Sequence, residues 1–106
     1  MATLQQDQAQ IDLALVRSLT ASVPKIWDSV ILEAERVWRG PGDEGYRISI
    51  HGSEADEHLQ PSDELMLQVR KLALVFQNHG HPWKKVWYKA NRTADGGWDF
   101  ISTYEY

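Results

Sequence analysis

Two segments of alternating apolar and polar residues, each interrupted by a glycine-containing turn, constrain the fold of this chain most. The runs 27–38 and 46–51 flank a Gly-Pro-Gly turn, and the runs 85–90 and 98–105 flank an Asp-Gly-Gly turn. Successive side chains of a strand point to opposite faces, so each alternating run predicts a half-buried β-strand. Glycine-containing turns allow the chain to reverse within a few residues. The sequence therefore predicts two antiparallel hairpins.

A segment with helical spacing precedes each hairpin. Residues 4–22 carry an apolar stripe, and Pro24 ends the helix because its ring removes a backbone hydrogen bond. The second helix follows Ser62, which is a suitable N-cap, and Gly80 is a suitable stop. Its apolar stripe consists of Leu65, Met66, Val69, Leu72, Ala73 and Phe76.

The order helix, hairpin, helix, hairpin predicts an α+β fold with two layers. We expect an antiparallel sheet of about four strands, covered on one face by the two helices. The segment 52–60 is polar and acidic and predicts a loop. A length of 106 residues suits one compact domain, and neither a repeat nor a linker divides the chain, so residues 1–106 are expected to form a single domain.

The composition limits the classes of protein to consider. Apolar residues make up 42% of the chain and charged residues 25%, which is typical of globular proteins and argues against disorder. No apolar run approaches the ~20 residues of a membrane-spanning helix, and residues 1–10 do not resemble a secretory signal. The chain contains no cysteine, which excludes thiolate chemistry and disulfides. These features predict a cytoplasmic location.

Charge is distributed unevenly around a net charge of −4. Residues 43–64 contain seven acids and one base, whereas residues 65–92 contain six bases and no acid. A net negative charge counts against nucleic acid as the main partner. The acidic segment instead favours a partner with a positive surface.

Neither a metal site nor a catalytic site is predicted. His79 and His81 could bind one metal ion, with His51 and His58 as further ligands, but their spacing does not match the common zinc motifs. The chain has no nucleophile elbow and no phosphate-binding loop. We therefore expect no catalytic residues, no metal, no cofactor and no enzymatic activity.

A basic strand with interleaved aromatic residues leaves nucleic-acid binding as the alternative function. The residues concerned are Lys84, Lys85, Trp87, Tyr88, Lys89 and Arg92. Sheets that stack nucleotide bases use similar residues. However, Trp87 and Tyr88 would point to opposite faces, and Asp99 and Glu105 on the neighbouring strand would repel phosphate. Salt bridges between the two strands are the more ordinary interpretation.

The chain is rich in large aromatic residues, with five tryptophans and four tyrosines. We expect Trp27, Trp83 and Trp98 to anchor helices to the sheet. A domain of this size cannot bury all its aromatic side chains deeply. Exposed tryptophan and tyrosine beside charged residues are typical of protein-binding surfaces.

The C-terminal hairpin resembles the signature of the YezG-type immunity proteins. The resemblance rests on residues 82–88 (PWKKVWY), 97–100 (GWDF) and 103–106 (TYEY), and the motif Pro24-x-x-Trp27 fits the same layout. It extends over essentially the whole chain and is most specific in the last 25 residues. Two differences are the short 40–45 segment and Thr103, which occupies a position where the family commonly has an acid.

The resemblance implies an immunity protein that binds and neutralises a cognate bacterial toxin domain, often a nuclease, as in contact-dependent growth inhibition. An acidic patch on such an inhibitor would complement the positive surface with which a nuclease binds phosphate. The predicted contacts with the toxin are Glu54, Asp56, Glu57, Asp63 and Glu64, with Tyr104 and Tyr106 as secondary contacts. The expected partner is the C-terminal domain of the toxin, and no membrane partner is expected.

Overall fold

The computed structural model describes residues 3–41, 43–52 and 58–106. It contains two helices and five strands: α1 (Leu4–Ala21), β1 (Ser29–Gly40), β2 (Asp43–His51), β3 (His58–Leu59), α2 (Asp63–Asn78), β4 (Lys85–Arg92) and β5 (Trp98–Glu105). The strands form one antiparallel sheet in the order β3-β2-β1-β4-β5.

The predicted α+β class and two-layer arrangement are confirmed. The hairpins β1–β2 and β4–β5 join through pairing of β1 with β4, and both helices cover the same face of the sheet. The sheet has five strands rather than about four, because two residues of the predicted loop, His58 and Leu59, pair with β2 as β3. Two residues are too few to show an alternating pattern, so the sequence offers no signal for this strand.

Side chains at the helix starts accept hydrogen bonds from backbone groups that the helix itself leaves free. Thr3 caps α1 and forms a capping box with Gln6. Ser62 caps α2 by accepting a bond of 3.1 Å from the N–H of Leu65, as predicted. Gly80 follows α2 with a φ of +78°, a conformation that glycine adopts without steric cost.

The core lies between the helices and the sheet. It contains Leu15, Val16 and Leu19 of α1; Leu65, Val69, Leu72, Ala73 and Phe76 of α2; Val30, Leu32, Ala34, Ile50, Val86, Tyr88 and Ala90 of the sheet; and the rings of Trp27 and Trp83. Trp98 is half-buried and packs against this core. The predicted anchoring role of the three tryptophans agrees with these positions, whereas Met66 of the predicted stripe is exposed.

Neither helix of the described chain combines the length and the hydropathy that a bilayer crossing requires.

Candidate functional site: an uncovered sheet face

The sheet face opposite the helices has no covering layer in the described chain. Even-numbered residues of β1 and β4, such as Val30 and Tyr88, point towards the helices and are buried. On β1, β2, β4 and β5 the odd-numbered residues point the other way, as does His58 of β3, and every one whose side chain is described is exposed or half-buried. We call this second surface the open face.

Strand register arranges the open face into cross-strand rows, of which three lie in its middle. The apolar row runs from β3 to β5 through His58, His51, Ile31, Lys89 and Ile101. The central row contains Ser49, Glu33, Trp87 and Thr103. The charged row contains Arg47, Glu35, Lys85 and Glu105, so that its charges alternate in sign from strand to strand.

Lys85 connects the charged row to the central row. Its Nζ lies 2.6 Å from a carboxylate oxygen of Glu33 and 5.2 Å from the centre of the Trp87 ring. The hydrogen bond that Lys85 donates to Glu33 raises the pKa of Lys85, because the carboxylate favours the charged ammonium. The charge of Lys85 is therefore paired within the open face, and its ammonium group lies near the ring of Trp87.

The apolar row presents large aliphatic groups to solvent. The side chain of Ile101 is 68% exposed, and Ile31, two strands away, is half-buried. At the β3 end, the rings of His51 and His58 lie 5.8 Å apart. Together with the half-buried Trp87 in the adjacent row, Ile31 and Ile101 give the open face three large apolar side chains, which lie around the exposed Lys89.

The six residues of the predicted nucleic-acid surface are divided between both sides of the sheet. Tyr88 is fully buried under the helices. Arg92 lies on the helix side, where it donates to the carbonyl of Trp27 and stacks 4.4 Å from the centre of the Trp98 ring. Since Lys85 is paired with Glu33 as well, the strand does not present one basic and aromatic surface.

The acids predicted to contact the toxin are described only in part. Glu54, Asp56 and Glu57 lie outside the described residues. Asp63 and Glu64 are exposed in the first turn of α2, where negative charge is favourable next to free backbone N–H groups. Glu64 also accepts a hydrogen bond of 2.9 Å from Gln68.

The two predicted tyrosine contacts lie at the other end of α2. The Tyr104 ring packs 4.8 Å from that of Phe76 and is half-buried, whereas Tyr106 is 61% exposed. Phe76 and Glu64 are separated by about 20 Å along the helix, given its rise per residue. The structure therefore does not bring the described acids and the tyrosines together into one patch.

Sequence reasoning missed a buried polar network beneath Tyr104. The Tyr88 hydroxyl donates to Asp12 of α1, and the Tyr104 hydroxyl lies 3.1 Å from that of Tyr88 and accepts a bond of 2.9 Å from Gln8. Burial raises the pKa of Asp12 and of both tyrosines, because it disfavours their charged forms. Asp12 is one of several polar residues of α1, and nothing in the sequence around it indicates that its side chain is half-buried.

His79, which follows α2, contacts the other helix. Nε2 of His79 lies 3.1 Å from a carboxylate oxygen of Asp7, which joins the end of α2 to the start of α1. Within the described ranges, no three histidine, aspartate or glutamate side chains come close enough to hold a metal ion.

No model of a known protein family matches the chain, and no curated protein matches it either. The relation to YezG-type immunity proteins thus remains a prediction from the residues of the C-terminal hairpin.

Proposed function

We propose that this chain is an immunity protein that binds the toxic domain of a bacterial toxin in a one-to-one complex through its open face. The observation that carries the proposal is the accessibility of three large apolar side chains, Ile101, Ile31 and Trp87, among charged residues on a sheet surface that the helices leave uncovered. Exposed sheet faces are normally polar, since nothing buries their side chains. Rigid aromatic and aliphatic groups surrounded by charges are typical of protein-binding surfaces.

The acidic composition of residues 43–64 supports a basic partner, since they carry seven acids and one base. His51 and His58, the strand residues nearest in sequence to Glu54, Asp56 and Glu57, both lie on the open face. A nuclease domain is a fitting partner, because it must present positive charge to phosphate.

The toxin as partner rests on the resemblance of residues 82–106 to the immunity proteins. Trp87 belongs to the resembling motif and lies on the open face, whereas Trp83 of the same motif is buried in the core. The motif therefore combines a residue that supports the fold with one that is available for binding.

Calorimetric titration tests the proposal directly. The probe is the C-terminal domain of a large secreted toxin encoded beside the gene, in catalytically inactive form. We expect a one-to-one complex with an affinity of about nanomolar or tighter, as for dedicated inhibitors. Absence of heat and of a complex at micromolar concentration would contradict the proposal.

A further inference from the structure

The strand β5 forms one edge of the sheet and has no neighbour on its outer side in the described chain. It is eight residues long, whereas β3 at the opposite edge has only two. Each edge strand directs half of its backbone N–H and C=O groups away from the sheet, where they can pair with another chain.

Two hydrogen bonds define which residues of β5 point outward. The Thr93 N–H donates to the Gly97 carbonyl over 2.9 Å, and the Arg92 N–H donates to Asp28 on the opposite side of β4 over 2.7 Å. The pair Arg92–Trp98 is therefore not hydrogen-bonded across β4 and β5. Along an antiparallel ladder, hydrogen-bonded pairs alternate with pairs that are not hydrogen-bonded. The second kind therefore includes Trp98, Phe100, Ser102 and Tyr104, which direct their backbone N–H and C=O groups outward.

Apart from two charged side chains, the devices by which proteins usually protect such an edge are missing from β5. The strand contains no proline and no lysine, and its pairing with β4 continues without a bulge from Arg92–Trp98 to Lys85–Glu105. The exposed Ile101 lies in the middle of the strand, on the open face.

Charge indicates which kind of strand this edge accepts. The exposed side chains of β5 include Asp99 and Glu105, and the strand carries no base. Pairing with β5 of a second copy would place four acids on one face of the joined strands, and like charges across strands are destabilising. A strand with lysine or arginine opposite these acids would be favoured instead.

We infer that the outer edge of β5 pairs with an extended basic segment of the toxin domain, which adds a sixth strand to the sheet. This inference rests on the proposed function and specifies how the partner is bound. The added strand extends the open face beyond Ile101, so that main-chain pairing and side-chain contacts on that face act together.

The test replaces one outward N–H. Ser102→Pro removes the N–H of Ser102 and places the proline ring at the edge, while the bonds between β5 and β4 are retained. Ser102→Ala is the matched control, because it removes the hydroxyl but keeps the N–H. Against the inactive toxin domain we expect Ser102→Pro to weaken binding about a hundred-fold, and Ser102→Ala to change it little.

Amide hydrogen exchange on the complex of the unmodified chain provides an independent measurement. Binding should slow exchange at the N–H groups of Phe100 and Ser102, which are open to solvent in the free protein. If Ser102→Pro does not fold, the hydrogen-exchange measurement is combined with a second variant, in which both acids are replaced (Asp99→Lys with Glu105→Lys). This double substitution should weaken binding and reduce its salt dependence.

The outcomes separate the two proposals. Tight binding by Ser102→Pro, or unchanged exchange at Phe100 and Ser102 in the complex, overturns the edge-pairing inference and leaves the immunity function standing. Failure of the unmodified chain to bind overturns the proposed function and the inference with it. A β5-mediated dimer of this chain in solution would replace the toxin with a second copy as the occupant.

Discussion

The hydroxyl of Tyr88 in the sheet donates a hydrogen bond to the half-buried carboxylate of Asp12. Tyr88→Phe keeps the ring but removes this donor, and a buried acceptor that loses its donor costs stability. We expect the free energy of unfolding to fall by about 1–3 kcal/mol, measured by urea denaturation. Tyr106→Phe is the control, since that side chain is mostly exposed, and its effect should be close to zero. Equal effects of the two substitutions would contradict the role of the network.

Asp12 also predicts how stability changes with pH. Because burial raises its pKa, the folded protein holds the proton more tightly than the unfolded chain. The stabilisation from the proton is therefore complete below the ordinary aspartate pKa and is lost as the pH rises through the folded value. We expect the stability of Asp12→Asn relative to the unmodified chain to increase as the pH rises from below the ordinary aspartate pKa through the raised pKa of the folded protein. Urea unfolding of both proteins across this range measures it, and a difference that is independent of pH would exclude this effect.

At the scale of an element, two leucines of α2 that are only two positions apart differ in burial. Leu72 is fully buried between the helix and the sheet, whereas Leu74 is 56% exposed on the outer side of the same helix. Leu72→Ala should lower the free energy of unfolding by about 2–5 kcal/mol, since it removes buried methyl groups and leaves a cavity. Leu74→Ala should change it by less than about 0.5 kcal/mol. Denaturant unfolding of both variants checks the orientation of α2. Similar losses in the free energy of unfolding would contradict the placement of Leu72 inside and Leu74 outside.

At the scale of the whole molecule, the two layers present opposite surfaces to a partner. Ile101 lies on the open face and Leu74 on the outer side of α2, and both are large, aliphatic and exposed. We expect Ile101→Lys to weaken binding of the inactive toxin domain by about ten-fold or more, because it places a charge in the desolvated contact. Leu74→Lys should leave the affinity unchanged, and neither variant should lose much stability. Calorimetry with both variants maps the binding surface; loss of affinity only with Leu74→Lys would place the contact on the helical layer instead.

Local patterns in the sequence were sufficient to predict the elements and the fold class. The stripe of α2, its cap Ser62 and the alternation of β4 and β5 agree with the structure to within a few residues. Such features depend on neighbours one to four positions apart, which is why they are legible in a single chain. The two-residue strand β3 was missed for the same reason, because its formation depends on pairing with β2 rather than on its own residues.

Only the tertiary structure decided which of these residues meet. Tyr88 and Asp12 are 76 positions apart, and their contact exists because α1 packs over β4. Lys85 of the basic strand β4 pairs with Glu33 on β1, Arg92 lies on the helix side, and the burial of Tyr88 divides the aromatic residues of the strand between two faces. Strand order and helix placement also determine which face remains open, because the same alternation of side chains is compatible with covering either side of a sheet. The sequence by itself thus determined the helices, the hairpins and their amphipathic patterns, whereas long-range pairing determined the network, the open face and the free edge of β5.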